Sequence, residues 1–466
     1  MTPSITPNQT SSNGLLKWAL ILAIAGFSFI CIVELINILF YDPYEDERFL
    51  FSFAESLMET EIETLTLLMF GTLALLLMAG LPMAFVVGGL GVVFIYLVGG
   101  QTMVNIIPTR IYPLMSNADL AAIPLFIFMA SMLEKAGLIE EMFDVVYKWM
   151  GGLNGGLAAA TILASTILAA MVGVIGAAVV TMGIIALPAM LKRNYDHKIA
   201  LGSIMAGGTL GILIPPSILA ILYAVIAQQS VGQLYLGSLV PGLMLSGMYI
   251  AYVLFRTMLN PKLGPALPRE ERVSFAQKLR LFRNLIAPIF LVFLVLGLLF
   301  GGIATPVEAA GIGSFGAIIV AIIHKRFSLQ ALRDASVTTA RASAMVLWII
   351  FGASIFVGFF ILEGGQDFIT ETILGTGLSP YGILLLMMFI LVFLGMFLDW
   401  VGILLLTVPI FIPIIQSLNF DGLFGLPGVD SSVVVLWFGV IYLVNMQMSF
   451  LTPPFGYALF YLRGVC

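Results

Sequence analysis

The sequence predicts an all-α polytopic membrane protein built from two inverted repeats, each with a re-entrant hairpin and a broken helix. Of its 466 residues, 61% are hydrophobic and only 10% are charged, whereas a soluble domain carries about 25% charged residues. Two of its long apolar segments contain a central Pro-Pro doublet, Pro215-Pro216 and Pro453-Pro454. A short residue pattern also occurs once in each half of the chain. Together these observations favour a duplicated bundle of membrane helices.

The apolar runs define the helical elements. Run 66–98 is too long for one straight crossing of a membrane core about 30 Å thick, so we expect a split at Gly80-Leu81-Pro82. Runs 155–190 and 380–416 are each about twice the length of one span, so each is interpreted as two helices with a tight turn or as a re-entrant hairpin. The runs that can span or re-enter are 66–98, 119–133, 155–190, 199–228, 235–256, 285–303, 308–324, 342–362, 380–416 and 433–464.

Four parts follow along the chain. An N-terminal extension, 1–65, contains an extra membrane helix at 15–41 and an acidic linker from Asp42 to Glu63. Segment 15–41 is longer than the apolar core of a signal peptide and no small-residue cleavage site follows it. The other three parts are a first repeat, 66–255, with hairpin 155–190 and broken helix 199–228; a basic loop, 256–284; and a second repeat, 285–466, with hairpin 380–416 and broken helix 433–464.

Basic residues predict the orientation. Loop 417–432 contains no Lys or Arg but contains Asp421 and Asp430, which suits the outer side. Loop 256–284 is cytoplasmic by the positive-inside rule, because it carries Arg256, Lys262, Arg269, Arg272, Lys278, Arg280 and Arg283. Counting crossings from that loop makes the first hairpin enter from the cytoplasm and the second from outside. The two halves are therefore inverted.

The repeat is visible in individual residues. Pro188, Asn194-Tyr195-Asp196 recur 225 residues later as Pro413, Asn419-Phe420-Asp421, whereas the two Pro-Pro doublets lie 238 residues apart. The second copy thus has 13 extra residues, which fit the Gly-rich segment 422–432. Each copy runs hairpin, polar loop, broken helix.

Broken helices carry the functional prediction. Proline removes a backbone donor and clashes with the preceding turn, and such breaks persist in membranes only where they face protein or a water-filled cavity. Two breaks at corresponding places predict a secondary transporter whose site lies at the breaks. Free carbonyls and hydroxyls there can bind a hard cation such as Na⁺. Candidate ligands are Thr209, Gly211 and Ser217 at the first break and Ser449, Thr452 and Phe455 at the second. The alternative for each hydroxyl is a bond to its own helix.

Three charged residues lie in or beside apolar runs. Asp399 is the one acid within runs 155–190 and 380–416. An intramembrane carboxylate costs about 2.5–3.5 kcal/mol on insertion scales, so a functional role is favoured over a structural pairing with a nearby donor. Glu308 follows Thr305-Pro306 and is interpreted as a helix cap. Arg110, between Pro108 and Pro113, is either an anion contact or a loop residue.

Competing functions are a passive channel and a membrane enzyme or antiporter subunit. A channel needs a continuous polar path, and an antiporter subunit needs more buried Lys, Glu and His than the chain contains. No enzyme motif or nucleotide-binding domain occurs, so neither catalysis nor ATP is expected, and no cofactor or nucleic-acid partner is predicted. Cys31 and Cys466 indicate no disulfide framework or metal site.

Several motifs resemble the large membrane subunit of tripartite ATP-independent periplasmic (TRAP) transporters. The resemblance covers Thr66 to Arg463. Its anchors are Gly80-Leu-Pro82, Ala122-Ile-Pro-Leu-Phe-Ile127, Gly155-Gly-Leu157, Thr209-Leu-Gly-Ile-Leu-Ile-Pro-Pro-Ser217, Thr305-Pro-Val-Glu-Ala-Ala310, Gly395-Met-Phe-Leu-Asp399 and Thr452-Pro-Pro-Phe-Gly456. Segment Val174–Gly183 is similar to the subgroup linked to 2-oxo acids and related organic acids.

This resemblance implies an elevator-type transporter in the bacterial inner membrane that imports small organic acids with Na⁺. It implies two partners, a small four-helix membrane subunit and a periplasmic substrate-binding protein. The implied substrate contacts are Asp399 and Arg110, to which the break residue Ser217 is added. The implied Na⁺ residues are Gly395, Ser449, Thr452 and Phe455, with Thr209, Gly211 and Pro215 in a twin site.

Two departures from the family pattern affect these expectations. Many members have Ser-Gly-Ser at the first hairpin tip, where this chain has Val172-Gly173-Val174. The twin Na⁺ site would therefore depend on backbone carbonyls. Members also continue through a further membrane helix after the second break. By this comparison, the sequence ending at Cys466 is expected to be truncated.

Overall fold

The computed structural model describes residues 60–173, 175–420, 431–453 and 456–465. Within these ranges the chain forms 19 α-helices and short 3₁₀ turns, with no β-strand, so the predicted all-α fold is confirmed. Five of the described helices are long and apolar enough to cross a membrane, or up to seven spans if two bent helix pairs are each counted as one. The predicted helix 15–41 and nearly all of its acidic linker lie outside the described residues, as do Val174, Pro454 and Phe455.

The predicted apolar runs are helical where the structure describes them, and four helices, Ile106–Met115, Leu138–Met150, Phe275–Phe282 and Gly365–Leu374, lie outside those runs. The helices of the first half are α1 Ile62–Met78, α2 Met83–Met103, α3 Ile106–Met115, α4 Ala122–Lys135, α5 Leu138–Met150, α6 Gly156–Val172, α7 Ile175–Leu191, α8 His197–Thr209, α9 Ile218–Ile226 and α10 Val231–Leu259. Those of the second half are α11 Phe275–Phe282, α12 Ile286–Phe300, α13 Pro306–Ile323, α14 Leu329–Leu362, α15 Gly365–Leu374, α16 Pro380–Gly395, α17 Trp400–Ser417, α18 Ser431–Leu451 and α19 Tyr457–Arg463.

One predicted boundary is confirmed and another is wrong. The split of run 66–98 is confirmed, with α1 ending at Met78 and Gly80 in the left-handed region at φ +84° before α2 begins. The predicted run 342–362 is wrong at its start, because α14 begins at Leu329 and has 34 residues. The Ser328 hydroxyl accepts a hydrogen bond from the backbone N–H of Ala331 and so caps the helix well before its apolar part.

Helices α2, α4, α13 and α14 form one packed group, to which α1 adds an edge. Helices α2 and α14 cross where two glycines meet: a Cβ added to Gly88 would lie 3.1 Å from the Cα of Gly352. Small residues let membrane helices approach closely and gain dispersion contacts. On α1, the ring of Phe70 stands edge-on to Phe356 and Phe360, at centroid distances of 5.6 and 5.2 Å.

Both long apolar segments fold into helical hairpins, as predicted. Helices α6 and α7 pack on each other, as do α16 and α17. The first hairpin turns at Gly173, whose φ of +62° is strained for residues with a side chain. The second turns through residues 396–399.

Both predicted helix breaks are present. Helix α8 ends at Thr209, a 3₁₀ turn covers Leu210–Ile212, and Ser217 is extended before α9 begins. The Pro215–Pro216 peptide bond is cis. The second broken helix ends its first part at Leu451 and resumes at Tyr457.

Each hairpin packs on the broken helix of the other repeat. Helix α7 lies against α19, and α17 lies against α9. A Cβ added to Gly176 would lie 2.8 Å from the Tyr461 ring, so glycine permits this approach. In the loops that follow the hairpins, Tyr195 and its repeat counterpart Phe420 are both buried. The two repeats therefore interlock into one unit.

The loop 256–284 is folded against the base of the first hairpin. Backbone N–H groups of Gly155, Asp196 and Leu267 donate to Gly264, Leu263 and Gly151 at 2.7, 3.0 and 2.7 Å. Glu271 forms an ion pair with Arg193. The hydrogen bond between the two side chains is the largest of the effects that raise the pKa of the Arg193 guanidinium. Burial raises the pKa of Tyr195 to about 12, and its hydroxyl accepts from the N–H of Leu157 at 3.2 Å.

Candidate functional site

The second hairpin meets the second broken helix at Gly395 and Ser449. A Cβ added to Gly395 would overlap the Cβ of Ser449 and lie 3.0 Å from its Cα. Ser449 is fully buried, and its hydroxyl donates to the carbonyls of Leu391 at 3.2 Å and Asn445 at 3.5 Å. These two predicted Na⁺ residues are therefore adjacent, although they belong to different helices.

Thr452 lies at the end of the same helix, where the break begins. Its backbone N–H donates to the Ser449 carbonyl at 3.3 Å, and its hydroxyl, which is exposed, donates to the Met448 carbonyl at 2.6 Å. A hydroxyl that gives its proton to a carbonyl keeps its lone pairs free to face a cation. A Cβ on Gly456 would lie 3.0 Å from the Thr452 carbonyl oxygen, so the chain folds tightly around this position. The fourth predicted ligand, Phe455, lies outside the described residues.

Two amides on α18 were missed by sequence reasoning. The Asn445 amide donates to the Met388 carbonyl of α16 at 3.1 Å and so fastens the hairpin one turn before Ser449. Both polar atoms of the Gln447 side chain are buried without a hydrogen-bond partner in the described part of the chain. The spacing of Asn445 and Ser449 by four residues, which places them on one helix face, was the available signal.

Asp399 lines a cavity of about 240 Å³ at the tip of the second hairpin. Its side chain is 8% exposed and lies beside the Tyr457 hydroxyl and the backbone N–H groups of Trp400 and Val401. Those N–H groups belong to the N-terminal turn of α17, where the helix dipole favours a negative charge. The cavity walls are formed by Leu77, Gly80, Leu81, Pro82, Met83, Phe397, Asp399, Tyr457 and Phe460. The Gly-Leu-Pro turn between α1 and α2 thus faces the hairpin tip, a proximity that no sequence signal indicated.

The first break repeats this arrangement in a more closed form. A Cβ on Gly173, at the tip of the first hairpin, would lie 2.6 Å from the Pro216 carbonyl oxygen. The Ser217 hydroxyl donates to the Ile212 carbonyl at 2.5 Å, and its own carbonyl accepts from the Tyr235 hydroxyl at 3.2 Å. Thr209 is buried, and its hydroxyl donates to the Ala206 carbonyl at 3.0 Å. Gly211 and Pro215 are also buried, so the predicted twin-site residues lie together in the protein interior.

The remaining charged candidates lie elsewhere. Arg110 is helical, in α3, and its side chain packs on α14, where a Cβ on Gly358 would lie 2.8 Å from its Nε. The structure does not bring Arg110 to the wall of the Asp399 cavity. Glu308 forms a capping box with Thr305 at the start of α13, which confirms the interpretation as a cap.

Comparison with known proteins identifies the family. The profile of "Tripartite ATP-independent periplasmic transporter, DctM component" matches residues 70–466. The chain belongs to this family. The C4-dicarboxylate TRAP transporter large permease protein of Rhodobacter capsulatus is 29% identical over 86% of this chain and 90% of the relative. The isethionate TRAP transporter permease protein DctMQ of Oleidesulfovibrio alaskensis is 30% identical over 85% of this chain and 60% of the relative.

A solved transporter shares the fold of this TRAP large permease. The YdaH transporter of Alcanivorax borkumensis superposes with a TM-score of 0.51 at 16% identity, covering 79% of this chain and 82% of that one. The family and the apolar helices make the protein a multi-pass component of the bacterial inner membrane. It is a transporter permease and not an enzyme, and solute uptake is the function it serves.

Proposed function

We propose that this permease imports small organic acids by Na⁺-coupled secondary transport. The observation that carries the proposal is the contact of each hairpin with a helix break, Gly395 on Ser449 and Gly173 on Pro216. Each contact gathers hydroxyls and carbonyls at the end of a half-helix, and broken helices of this kind supply transporter sites. The two sites are related by the internal repeat.

The second break is the better Na⁺ site. Ser449 and Thr452 offer hydroxyl oxygens whose protons already point to carbonyls, and Na⁺ is a hard cation that prefers such oxygen ligands. Gly395 and Phe455 complete the proposed set through their carbonyls. In the twin site, Thr209, Gly211 and Pro215 fill the same roles, and Val172 and Val174 contribute no side-chain oxygen.

The substrate is proposed to bind in the cavity beside Asp399. The Tyr457 hydroxyl and the Asp399 carboxyl group can hydrogen-bond the polar groups of a small acid. Ser217, at the first break, is also assigned a contact to the substrate. The two relatives described above are named for C4-dicarboxylates and isethionate, both organic acids. Arg110 does not line this cavity. We therefore assign it a substrate contact in another state of the transport cycle, in which the tip of the second hairpin has moved past α3.

The proposed mechanism is an elevator. The interlocked helices α6–α9 and α16–α19 form the mobile unit, with the first hairpin re-entering from the cytoplasm and the second from outside. Helices α1, α2, α4 and α12–α14 form the scaffold. The cross-packing of α7 on α19 and of α17 on α9 supports one rigid moving body. A small four-helix membrane subunit is proposed to brace the scaffold, and a periplasmic binding protein to deliver the acid.

Reconstitution tests this proposal. The permease and its small subunit would be placed in liposomes, and uptake of radiolabelled C4-dicarboxylate measured with and without the binding protein and an inward Na⁺ gradient. We expect uptake only when both are present. Uptake that ignores the Na⁺ gradient would refute the coupling, and equilibration without the binding protein would favour the passive channel.

A further inference from the structure

Helix α11 has an apolar face that the described part of the protein leaves largely exposed. Phe275, Leu279 and Phe282 are 74%, 60% and 42% exposed. Their spacing of four and three residues places them on one side of the helix. Single exposed apolar side chains are ordinary, but a contiguous face marks an interaction surface.

This face continues into a membrane-facing surface. Ile286, Phe290 and Phe293 of α12 are also large, apolar and exposed, and they extend the same spacing along the chain. Helix α12 has 15 residues, or about 22 Å, which is less than a hydrocarbon core of about 30 Å. Together α11 and α12 meet the length and composition of one span, bent by 49° at their junction. In the orientation that the basic loop predicts, α11 therefore ends where the exposed apolar surface of α12 begins, on the cytoplasmic side.

Positive charges border the face. Arg280 and Arg283 are exposed, and neither has an ion pair with any residue that the structure describes. Arginines beside an apolar helix face at the cytoplasmic surface attract anionic lipid headgroups. Their charge therefore complements the phosphates of the inner leaflet.

The orientation of α11 is held by the rest of the protein. The Trp149 indole N–H donates to the Lys278 carbonyl at 3.1 Å, and the Lys278 ammonium donates back to the Trp149 carbonyl at 3.1 Å. The Trp149 ring also lies beside Phe282, at 5.9 Å between centroids, and so covers one end of the apolar face. A capping box at Ser274 and Gln277 fixes the helix start. Because these contacts fix the orientation of α11, Phe275 and Leu279 remain exposed.

We propose that α11 lies in the cytoplasmic membrane interface and binds anionic phospholipid. Phe275, Leu279 and Phe282 enter the boundary between headgroups and acyl chains, and Arg280 and Arg283 contact lipid phosphates. Amphipathic helices bind at this depth through apolar burial combined with attraction to anionic lipids. Because α11 is hydrogen-bonded to Trp149, its binding to lipid also anchors α5 and the base of the first hairpin at the membrane surface.

Spin labelling of the full permease in nanodiscs tests the proposal. A nitroxide at Leu279→Cys is compared with one at Gln277→Cys, which is exposed on the opposite side of the helix, in a background with Cys31 and Cys466 replaced by serine. The backbone N–H of residue 277 still donates to the Ser274 hydroxyl in this variant. Collision with oxygen reports lipid, and collision with a water-soluble nickel chelate reports solvent. We expect several-fold more oxygen collision at 279 than at 277. The difference should grow from phosphatidylcholine to phosphatidylglycerol discs.

The charge requirement is tested separately by R280Q with R283Q. This variant should lose the dependence on phosphatidylglycerol, whereas a matched pair in the other basic cluster, R326Q with R333Q, should keep it. Solvent contact at 279 in both lipids overturns the proposal. A label at 279 shielded from both oxygen and nickel identifies a protein partner instead and also overturns it. Each readout is independent of transport, so it stands apart from the proposed function.

Discussion

Ser449 packs directly on Gly395, with no room for a side chain between the second hairpin and the second broken helix. The two residues lie 54 positions apart in the sequence. The contact puts the Ser449 hydroxyl within reach of the last carbonyls of α16, of which Leu391 accepts its proton at 3.2 Å. It therefore fixes the spacing of the oxygens that we assign to Na⁺.

Gly395→Ala should separate the hairpin from the broken helix. The added methyl group overlaps Ser449, and overpacking of this kind costs about 1–3 kcal/mol. We expect a lower melting temperature in detergent and loss of stabilisation by added Na⁺. Gly71→Ala is the matched control, because a Cβ there meets nothing within 4 Å. If both variants melt alike and respond equally to Na⁺, the Gly395 contact does not shape the ion site.

Asp399→Asn should abolish transport without affecting membrane insertion. The amide keeps the size of the carboxyl group and can still accept a hydrogen bond from Tyr457, so a merely structural pairing survives. Acidic residues at membrane depth are costly and mark substrate or ion pathways. Uptake is measured for the Asp399→Asn and Tyr457→Phe variants, with equal amounts of purified protein. Near-normal uptake by the asparagine variant would remove Asp399 from the substrate site.

Thr452→Val should raise the Na⁺ concentration needed for half-maximal uptake by several-fold or more. The substitution keeps the shape of the side chain but removes a proposed ligand oxygen, and the methyl group that replaces it cannot coordinate a hard cation. Thr161→Val is the control, since the Thr161 hydroxyl also bonds only to its own helix, at the Leu157 carbonyl, and lies away from both breaks. An equal Na⁺ response in the two variants argues that the Thr452 hydroxyl serves its own helix alone.

Orientation can be tested by labelling from outside intact cells. The positive-inside rule places Ser274 in the cytoplasm and Glu371, on α15, at the outer surface. Both residues are exposed. A membrane-impermeant maleimide should label Glu371→Cys and leave Ser274→Cys unmodified until the cells are opened. The reverse pattern would invert the proposed topology.

The ion pair of Arg193 and Glu271 should contribute little to stability. Its side chains are 27% and 50% exposed, and exposed pairs are worth about 0.2–1 kcal/mol. We expect the cycle of Arg193→Gln, Glu271→Gln and the double variant to give a coupling in this range, measured by denaturant unfolding in detergent. The loop is held chiefly by its three backbone hydrogen bonds to the hairpin base. A coupling of several kcal/mol would show that the ion pair holds the loop.

Local chemistry made much of this protein predictable. Apolar runs specify membrane helices, Gly80-Leu81-Pro82 and the two Pro-Pro doublets interrupt them, and Thr305 with Glu308 caps a helix. Each of these outcomes depends on the backbone preferences of adjacent residues or on transfer from water to lipid. The motifs at the breaks also indicated the family. Sequence reasoning placed Ser449 and Thr452 at a break for the same local reason.

Contacts between distant segments were decided only by the tertiary structure. Nothing local indicates that Tyr457 lies beside Asp399, that Asn445 holds Met388, or that Arg110 packs on Gly358 of α14. The sequence predicts loop 256–284 only as a basic cytoplasmic loop, yet it contains α11 and binds the hairpin base. Such contacts depend on how whole helix surfaces fit together, because dispersion and close approach of small residues direct association inside a membrane. Apolarity alone determines that a helix enters the membrane, and shape complementarity determines which neighbour it meets there.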